Sequence, residues 1–467
     1  MGTHRHRQRP QALFYHAELV QAPGHPFYRK LNQVLKKAGF DEFCEHECRG
    51  FYAERRGRPS LPPGVYFRLM LVGFFEGLDS ERAIAWRAAD SLSVREFLGY
   101  GLDEATPDHV TLSRTRRLID AETHQRVFGW VLRELARAGR IQGKTIGVDA
   151  TTLEANAAMR SIVRRDTGES YTEYLKRLAA AEGLAGADAA VLRRMDRKRA
   201  KQVANAEWVN PHEPEAEITR LKDGRTALAY KVEQAVDMAS GAILAVTTHG
   251  GAADDRQTIG QTVCAAGEAV AELIPEATAQ GEYPVDRQGV AEVVADKGYH
   301  SNQVLRQLEA MGVRSYVAEP ERGRRRWQGQ VAEQRAVYAN RRRIRGARGK
   351  RLQAARGEKI ERNFAHQFDS GGLRRLTVRG RTNVHKRLLI QAMACNLALL
   401  VRAFCGAGKP KAASERAAAL FLALLWVLAR YDSLLPTLPR ARRAFRVTPC
   451  LHIPRCGRRT QLSKTPI

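Results

Sequence analysis

Ile146-Gly147-Val148-Asp149-Ala150-Thr151-Thr152 reads as a short buried strand that ends by presenting one carboxylate, Asp149. The run is apolar and β-branched, opens at Thr145 and follows a glycine, Gly143. A second run of this kind, Ala291-Glu292-Val293-Val294-Ala295-Asp296, passes into Lys297-Gly298-Tyr299-His300. A third carboxylate, Glu361, falls on a helix predicted over Glu358-Lys359-Ile360-Glu361-Arg362-Asn363-Phe364. If the two strands pair, Asp149 and Asp296 become neighbours and Glu361 arrives from a covering helix. Carboxylates so placed suit a divalent cation, because Mg2+ takes oxygen ligands and uses one or two carboxylates plus substrate phosphates. Two such ions roughly 3.5–4 Å apart support phosphodiester chemistry. The gaps between the three are long, so spacing alone leaves open that each Asp is a helix cap or turn residue.

The chain has 467 residues and a formal charge of +27, with 44% apolar content. That composition supports real cores and excludes a wholly disordered chain. The basic excess points to a polyanionic partner. It is concentrated: Arg322 to Arg362 holds 15 Lys/Arg against three acids, and Ser433 to the end holds eight basic residues and no acid. Seven scattered cysteines make no disulfide framework, so a reducing cytoplasm is expected. Cys44-Glu45-His46-Glu47-Cys48 could be a zinc half-site, but no second half lies at useful spacing. The longest apolar run, Ala417 to Ala429, is short of the ~20 residues of a membrane span and is expected to be a buried core helix.

Residues 1 to about 24 read as a loose basic arm. Helices follow over Pro26 to Gly39, Gly64 to Phe75, Ser80 to Ala89 (Ala83, Ile84 and Trp86 inward) and Ser93 to Leu98. Thr106-Pro107-Asp108 opens another, with Thr106 as cap, which carries Ser113-Arg114-Thr115-Arg116-Arg117. Residues 1–135 are therefore expected to be an all-helical domain, with Arg114, Arg116 and Arg117 as groove-facing residues of a helix-turn-helix. The strand at Thr145 opens a second domain. About 159–223 reads as a helical or flexible insertion outside the sheet, then Thr226 to Val236 and Ala242 to Thr248 form a hairpin. A helix over Thr258 to Leu273, a strand ending at Ala295, a helix over Ser301 to Met311 and a strand over Val313 to Val317 complete the pattern. The expected fold is α/β: a mixed five-stranded sheet flanked by helices, strands 1 to 3 antiparallel. Pro436 to Ile467 reads as a disordered basic tail.

Asp149-Ala150-Thr151-Thr152, Ala295-Asp296-Lys297-Gly298-Tyr299-His300-Ser301 and Glu358 to His366 together resemble the DDE transposases of bacterial insertion sequences, the large group with a ribonuclease H-like catalytic core. Leu61 to Leu118 resembles the helical N-terminal domain of that family. Lys222 to Thr226, the hairpin Tyr230 to Thr248, Gly372 to Arg375 and Asn383 to Ala398 resemble the rest of its core. The likeness spans roughly residues 25–402, giving a catalytic domain at 143–402 and an appended segment at 403–467. It implies that Asp149, Asp296 and Glu361 are catalytic metal ligands for Mg2+, with Mn2+ able to substitute. The implied reaction is nicking at the element's ends, then attack of the freed 3′-hydroxyl on target DNA. The implied partners are the terminal inverted repeats, target DNA and a second copy in a homodimer, with no membrane and no small-molecule substrate. The setting is the bacterial cytoplasm and nucleoid. Glu358 is the rival of Glu361, three residues away on a shared helix face. Lys297 and Tyr299 contact DNA or shape the turn at Gly298. Arg324, Arg325 and Arg326 flank Trp327, which stacks on an unpaired base or anchors the loop. Arg341, Arg342, Arg343, Arg356, Arg362, Arg374 and Arg375 complete the expected DNA contacts. The sequence departs from the family pattern seven residues after Glu361, where Phe368 replaces a Lys; His366, Arg374 or Arg375 could substitute. A decayed copy that binds DNA without cutting it, and another nuclease of the same fold, are the alternatives.

Overall fold

Leu31 and Leu35 repeat at one helical period with Phe27, and all three are buried in α1 (Pro26–Lys37). Six more helices follow: α2 (Phe40–Glu47), α3 (Pro63–Phe75), α4 (Glu81–Asp90), α5 (Leu92–Leu98), α6 (His109–Leu118) and α7 (Ala121–Arg137). The computed structural model describes residues 24–427, apart from 54–59, 199–203, 277–281, 416–418, 424–425 and single positions 222, 322, 324, 407, 414 and 421. The expected arm up to residue 23 and the tail at 436–467 lie outside the described residues. The chain divides into a unit ending at Glu415 and another beginning at Arg416.

In α3 every residue but Met70 is buried, so this helix is the core of the helical region. Its one charge, Arg68, is compensated on the spot. The guanidinium donates to both Asp41 oxygens at 2.8 and 2.9 Å and to Asn32 at 2.9 Å, and lies 5.0 Å from the Phe97 ring centre. A buried guanidinium without such partners would be strongly destabilising. Two local expectations are corrected. Trp86 is 67% exposed, because the inward stripe of α4 is Ile84, Ala85 and Ala88. The cap of α6 is Asp108, whose Oδ1 accepts from Thr111 N at 2.7 Å; a carboxylate one step from the helix outcompetes Thr106. Cys44 in α2 and Cys48, which caps its end, are both buried, and burial pushes the Cys48 thiol up to about 12. Thiols so held are poor metal ligands.

The second layer is a mixed sheet built from β1 (Thr145–Glu154), β4 (Glu217–Arg220), β5 (Thr226–Asp237), β6 (Ile243–Gly250), β7 (Glu292–Ala295) and β8 (Arg314–Val317), with β2 (Val163–Arg164) and β3 (Trp208–Val209) forming a separate small pair. Across the sheet the order is β6-β5-β1-β7-β8. As expected, β1, β5 and β6 are antiparallel, and β7 joins β1 in parallel. The expected five strands become six. β4 pairs the first half of β5, so the insertion ends before Glu217 and its last residues belong to the sheet. Inside the insertion, α8 (Tyr171–Ala181) and α9 (Ala189–Lys198) pack on each other through Leu175, Ala179 and Leu192.

The covering helices are α10 (Asp255–Leu273), α11 (Asn302–Ala310), α12 (Val331–Arg345), α13 (Ala347–Asp369) and α14 (Arg381–Cys405). α13 crosses β1 at Gly147, where an added Cβ would lie 2.7 Å from Met238 Sδ and 3.0 Å from Ile360 Cδ1. Glycine is what lets that helix come down onto the strand. Both sides of the sheet end on a buried asparagine. Asn396 of α14 pairs with Ile243 N and O at 2.9 and 2.8 Å, and Asn340 of α12 with Val317 N and O at 3.0 and 2.8 Å. By length and composition Arg381–Phe404 could cross a bilayer, but 72% of its apolar window is buried in the fold, the position of a core helix. Beyond Glu415, Leu420, Leu422, Trp426 and Val427 are exposed. The buried helix expected over Ala417 to Ala429 is therefore not found among the described residues.

Candidate active site

The register β1–β7 aligns Thr145 with Glu292, Ile146 with Val293 and Gly147 with Val294. Two residues further along each strand stand Asp149 and Asp296, so the two carboxylates leave adjoining parallel strands at the same level. Asp149 is half-buried between the sheet and α13. Its Oδ1 accepts from Ala150 N at 2.8 Å, and its Oδ2 receives Arg356 Nη1 at 2.6 Å. Burial holds this carboxyl above the ordinary carboxylate range; Arg356 and the Ala150 amide oppose the shift, and Asp296 adds to it.

Asp296 caps the single turn Lys297–Tyr299 through Oδ1, which accepts from Gly298 N at 2.8 Å. A side chain at Gly298 would crowd both carboxylates: a Cβ would lie 2.8 Å from Asp255 Oδ2 and 3.1 Å from Asp296 Oδ1, so one of them would have to shift. Beneath the turn lies a buried polar network. Tyr299 donates to Glu233 Oε1 at 2.9 Å, Thr258 donates to the same oxygen at 2.8 Å, and Thr262 donates to Oε2. Lys231 Nζ bonds Asp255 Oδ1 at 2.6 Å and Thr258 Oγ1 at 2.8 Å. Burial raises the Glu233 carboxyl, against the pull of its hydroxyl donors and Lys231. Burial and Glu233 push the Tyr299 phenol well up. Every hydrogen-bonding group in this cluster is engaged, as a buried network requires.

Glu361 is exposed on α13. At 100° per residue, the sheet-facing stripe of α13 is Arg356, Ile360, Asn363 and Gln367. Lys359 and Asn363 reach Ala239 and Gly241 in the β5–β6 turn, at the end of the sheet where β1 begins. Gly357 and Glu361 lie on another flank of α13, where Glu361 Oε1 would stand 3.6 Å from a Cβ added at Gly357. Glu358 pairs with Arg362 in solvent. Among the described residues, no group of three or more His, Cys, Asp or Glu is gathered closely enough to hold a metal ion. Two oxygen-donor carboxylates side by side nevertheless fit the usual Mg2+ requirement of one or two protein carboxylates.

The expected DNA contacts divide into two sets. Arg114, Arg117, Lys297, Arg326, Arg342, Arg362, Arg374 and Arg375 are exposed. Of these, Arg374 reaches Asp369 at 2.5 Å, Arg362 pairs with Glu358, and Arg117 Nε donates to Ser113 O at 3.3 Å. The others are engaged by the chain. Arg116 bonds Glu81 at 2.6 Å, Arg341 makes a two-point pair with Glu319 at 2.8 and 2.7 Å, and Arg343 bonds Ser315 O and Oγ at 2.9 Å. Arg325 bonds Asn302 at 3.0 Å and lies over the half-buried Trp327, 5.5 Å from its ring centre. Arg356 serves Asp149. Arg324 lies outside the described residues. Of the two roles expected for Tyr299, its burial fits the shaping of the turn and not a DNA contact: it is 1% exposed, and its hydroxyl donates to Glu233 in the core beneath the Asp296 turn.

Lys231, Glu233 and Asp255 were not anticipated. Lys231 and Glu233 alternate on one face of β5, and charges at i and i+2 inside an apolar strand are a legible sign of a buried pair. Asp255 follows Asp254, which does cap α10, and the cap obscured its neighbour.

Residues 15–118 match the family described as Transposase domain (DUF772). This span covers α1 to α6, the helical region ahead of the sheet. It supports a transposase role for the chain. No curated protein matches it.

Proposed function

We propose that this chain is a DDE-type transposase with a ribonuclease H-like core, which cleaves DNA at the ends of an insertion sequence and joins those ends to target DNA. The observation that carries the reading is the level placement of Asp149 and Asp296 on adjoining parallel strands beneath α13, in a chain whose first helices match a transposase domain. Asp149 and Asp296 would hold the cation, with Glu361 completing the set from the flank of α13. A bound Mg2+, or Mn2+ in its place, supplies Lewis-acid stabilisation of the oxygens at phosphorus.

In the first step water attacks the scissile phosphorus, the P–O3′ bond breaks, and the 3′-oxygen leaves as a hydroxyl. In the second that 3′-hydroxyl attacks a target phosphodiester and releases a new 3′-hydroxyl, so bonds and charge balance at each stage. Lys297, exposed beside Asp296, is placed to hold a phosphate, and the exposed arginines track the backbone. Two ends must be held together, which a dimer provides.

A DNA-binding protein without catalysis is the second reading. It is favoured by Arg356, whose guanidinium already neutralises Asp149, and by the lack of a gathered trio among the described residues. The test incubates the full chain with DNA spanning candidate inverted ends in Mg2+ or Mn2+, beside Asp296→Ala. Nicks at the ends, lost in the variant and on chelation, establish the enzyme. Binding without nicks under either metal establishes the second reading, and nicks that survive Asp296→Ala overturn the site.

A further inference from the structure

On the flank of α13 away from Glu361 lies a small recess, partly open to solvent. Its walls come from α13, α14, the end of α3 and the β5–β6 turn. Lys359, Arg362 and His366 line it from α13, Arg402 from α14, and Lys409 from the segment that follows. Among the described residues no carboxylate lines it, although Arg362 pairs with Glu358 at its rim. Lys409 Nζ stands 2.9 Å from His366 Nδ1 and 2.5 Å from Ser370 Oγ, and Lys359 Nζ donates to Ala239 O at 2.7 Å.

The chain is folded back to make this arrangement. Gly406 ends α14 in the left-handed region, with φ 71°, and returns the strand of chain toward the helix. Gly408 then lies so close that a Cβ would stand 2.7 Å from Ala398 O and 3.2 Å from Arg402 Nε. Any side chain at 408 would move both Arg402 and the following lysine.

We infer that this recess is a phosphate-binding site, separate from the carboxylate pair, formed by Lys359, Arg362, His366, Arg402 and Lys409. Donors from three segments surround one volume, which suits a tetrahedral anion with several acceptor oxygens. The electrostatics agree. Burial lowers His366, and Lys409, Arg402 and Arg362 lower it further against Asp369; burial also lowers Lys409, with Arg402 adding to it and Cys395 and Asp369 opposing. An anion in the recess would relieve that mutual repulsion. The phosphate could belong to the DNA backbone or be free in solution; the DNA source rests on the transposase reading, the site itself does not.

The experiment uses the full chain and no cleavage assay, so its outcome is independent of whether the protein cuts DNA. Inorganic phosphate is titrated against chloride at matched ionic strength while the unfolding midpoint is followed. A saturable rise is expected, lost in Lys409→Gln and in Arg402→Gln and retained in Lys409→Arg. Arg402 is exposed, so its replacement leaves the fold intact if the lysine variant does not. In parallel, duplex affinity is measured against salt. If DNA phosphate is the ligand, the slope of log affinity on log salt falls by about one in Arg402→Gln combined with Lys409→Gln. A saturable phosphate effect with an unchanged slope assigns the site to free phosphate. No saturable effect, or one that survives both variants, overturns the site.

Discussion

Arg356 Nη1 lies 2.6 Å from Asp149 Oδ2, across the gap between α13 and β1. One guanidinium thereby sits where a metal-dependent mechanism would place a cation. The same helix carries Glu361 five residues on. The pair ties α13 to β1 through one charge-assisted hydrogen bond.

Asp149 should make the stability of the metal-free protein depend on pH. Its folded carboxyl lies above the unfolded value. The stabilisation it gives is therefore complete below the unfolded value and is lost as pH rises through the folded one. Asp149→Asn, neutral throughout, should flatten this fall in the unfolding midpoint between about pH 3 and about pH 7 in chelator, while leaving Arg356 without its carboxylate partner, a cost that appears at neutral pH. Added Mn2+ should stabilise the parent chain at neutral pH and not the variant. Thermal scans across pH, with and without metal, check both.

Glu361 and Glu358 should separate cleanly. Glu361 is exposed, so Glu361→Gln should fold as the parent does and lose end cleavage. Glu358 has its surface pair with Arg362, so Glu358→Gln should cost about 0.3–0.5 kcal/mol and keep activity. Cleavage by the Glu361 variant at the parent rate would transfer the role to another acid.

Gly147→Ala should cost about 1–3 kcal/mol by overpacking, since the new methyl meets Met238 and Ile360. Pairing it with Ile360→Val should recover part of that loss. Denaturant titrations of the four chains give the coupling between the two sites, and strict additivity would mean α13 does not rest on Gly147.

Tyr299→Phe removes a donor from a fully buried carboxylate and should cost about 1–3 kcal/mol. Because the residue lies in the core, duplex affinity per folded molecule should not change. A loss of affinity at unchanged stability would return Tyr299 to the DNA surface.

The arginines should fall into two classes in a salt titration. Replacing Arg326, Arg342 or Arg375, all exposed, should lower the salt slope of DNA binding by about 0.9 for each phosphate contact removed. Replacing Arg341 or Arg116, which are paired with Glu319 and Glu81, should lower stability and leave the slope in place.

Much of this fold is legible in the chain, because the apolar runs ending at Asp149 and Ala295 carry their period on their face. Their parallel pairing follows from helices between strands, and it brings the two aspartates level. What escapes is set by partners far away in sequence. Nothing near Arg356 points to Asp149, and nothing near Tyr299 points to Glu233. β4 is only four residues long and carries charge at both ends, Glu217 and Arg220, so only its neighbour β5 marks it as a strand. Trp86 misleads because its size suggests a core, while the small residues Ala85 and Ala88 fill it. Helix caps compete locally, which is why Asp108 displaces Thr106.

The side-chain amides of Asn340 and Asn396 occupy backbone groups that an incoming strand would need. At β8 the closure is thorough, since Arg343 also takes Ser315 O. A neighbouring molecule cannot lengthen this sheet at that border by zipping on a strand of its own. On the β8 side, any contact between copies would have to use helices and loops, and fibre growth by strand addition is blocked along that border.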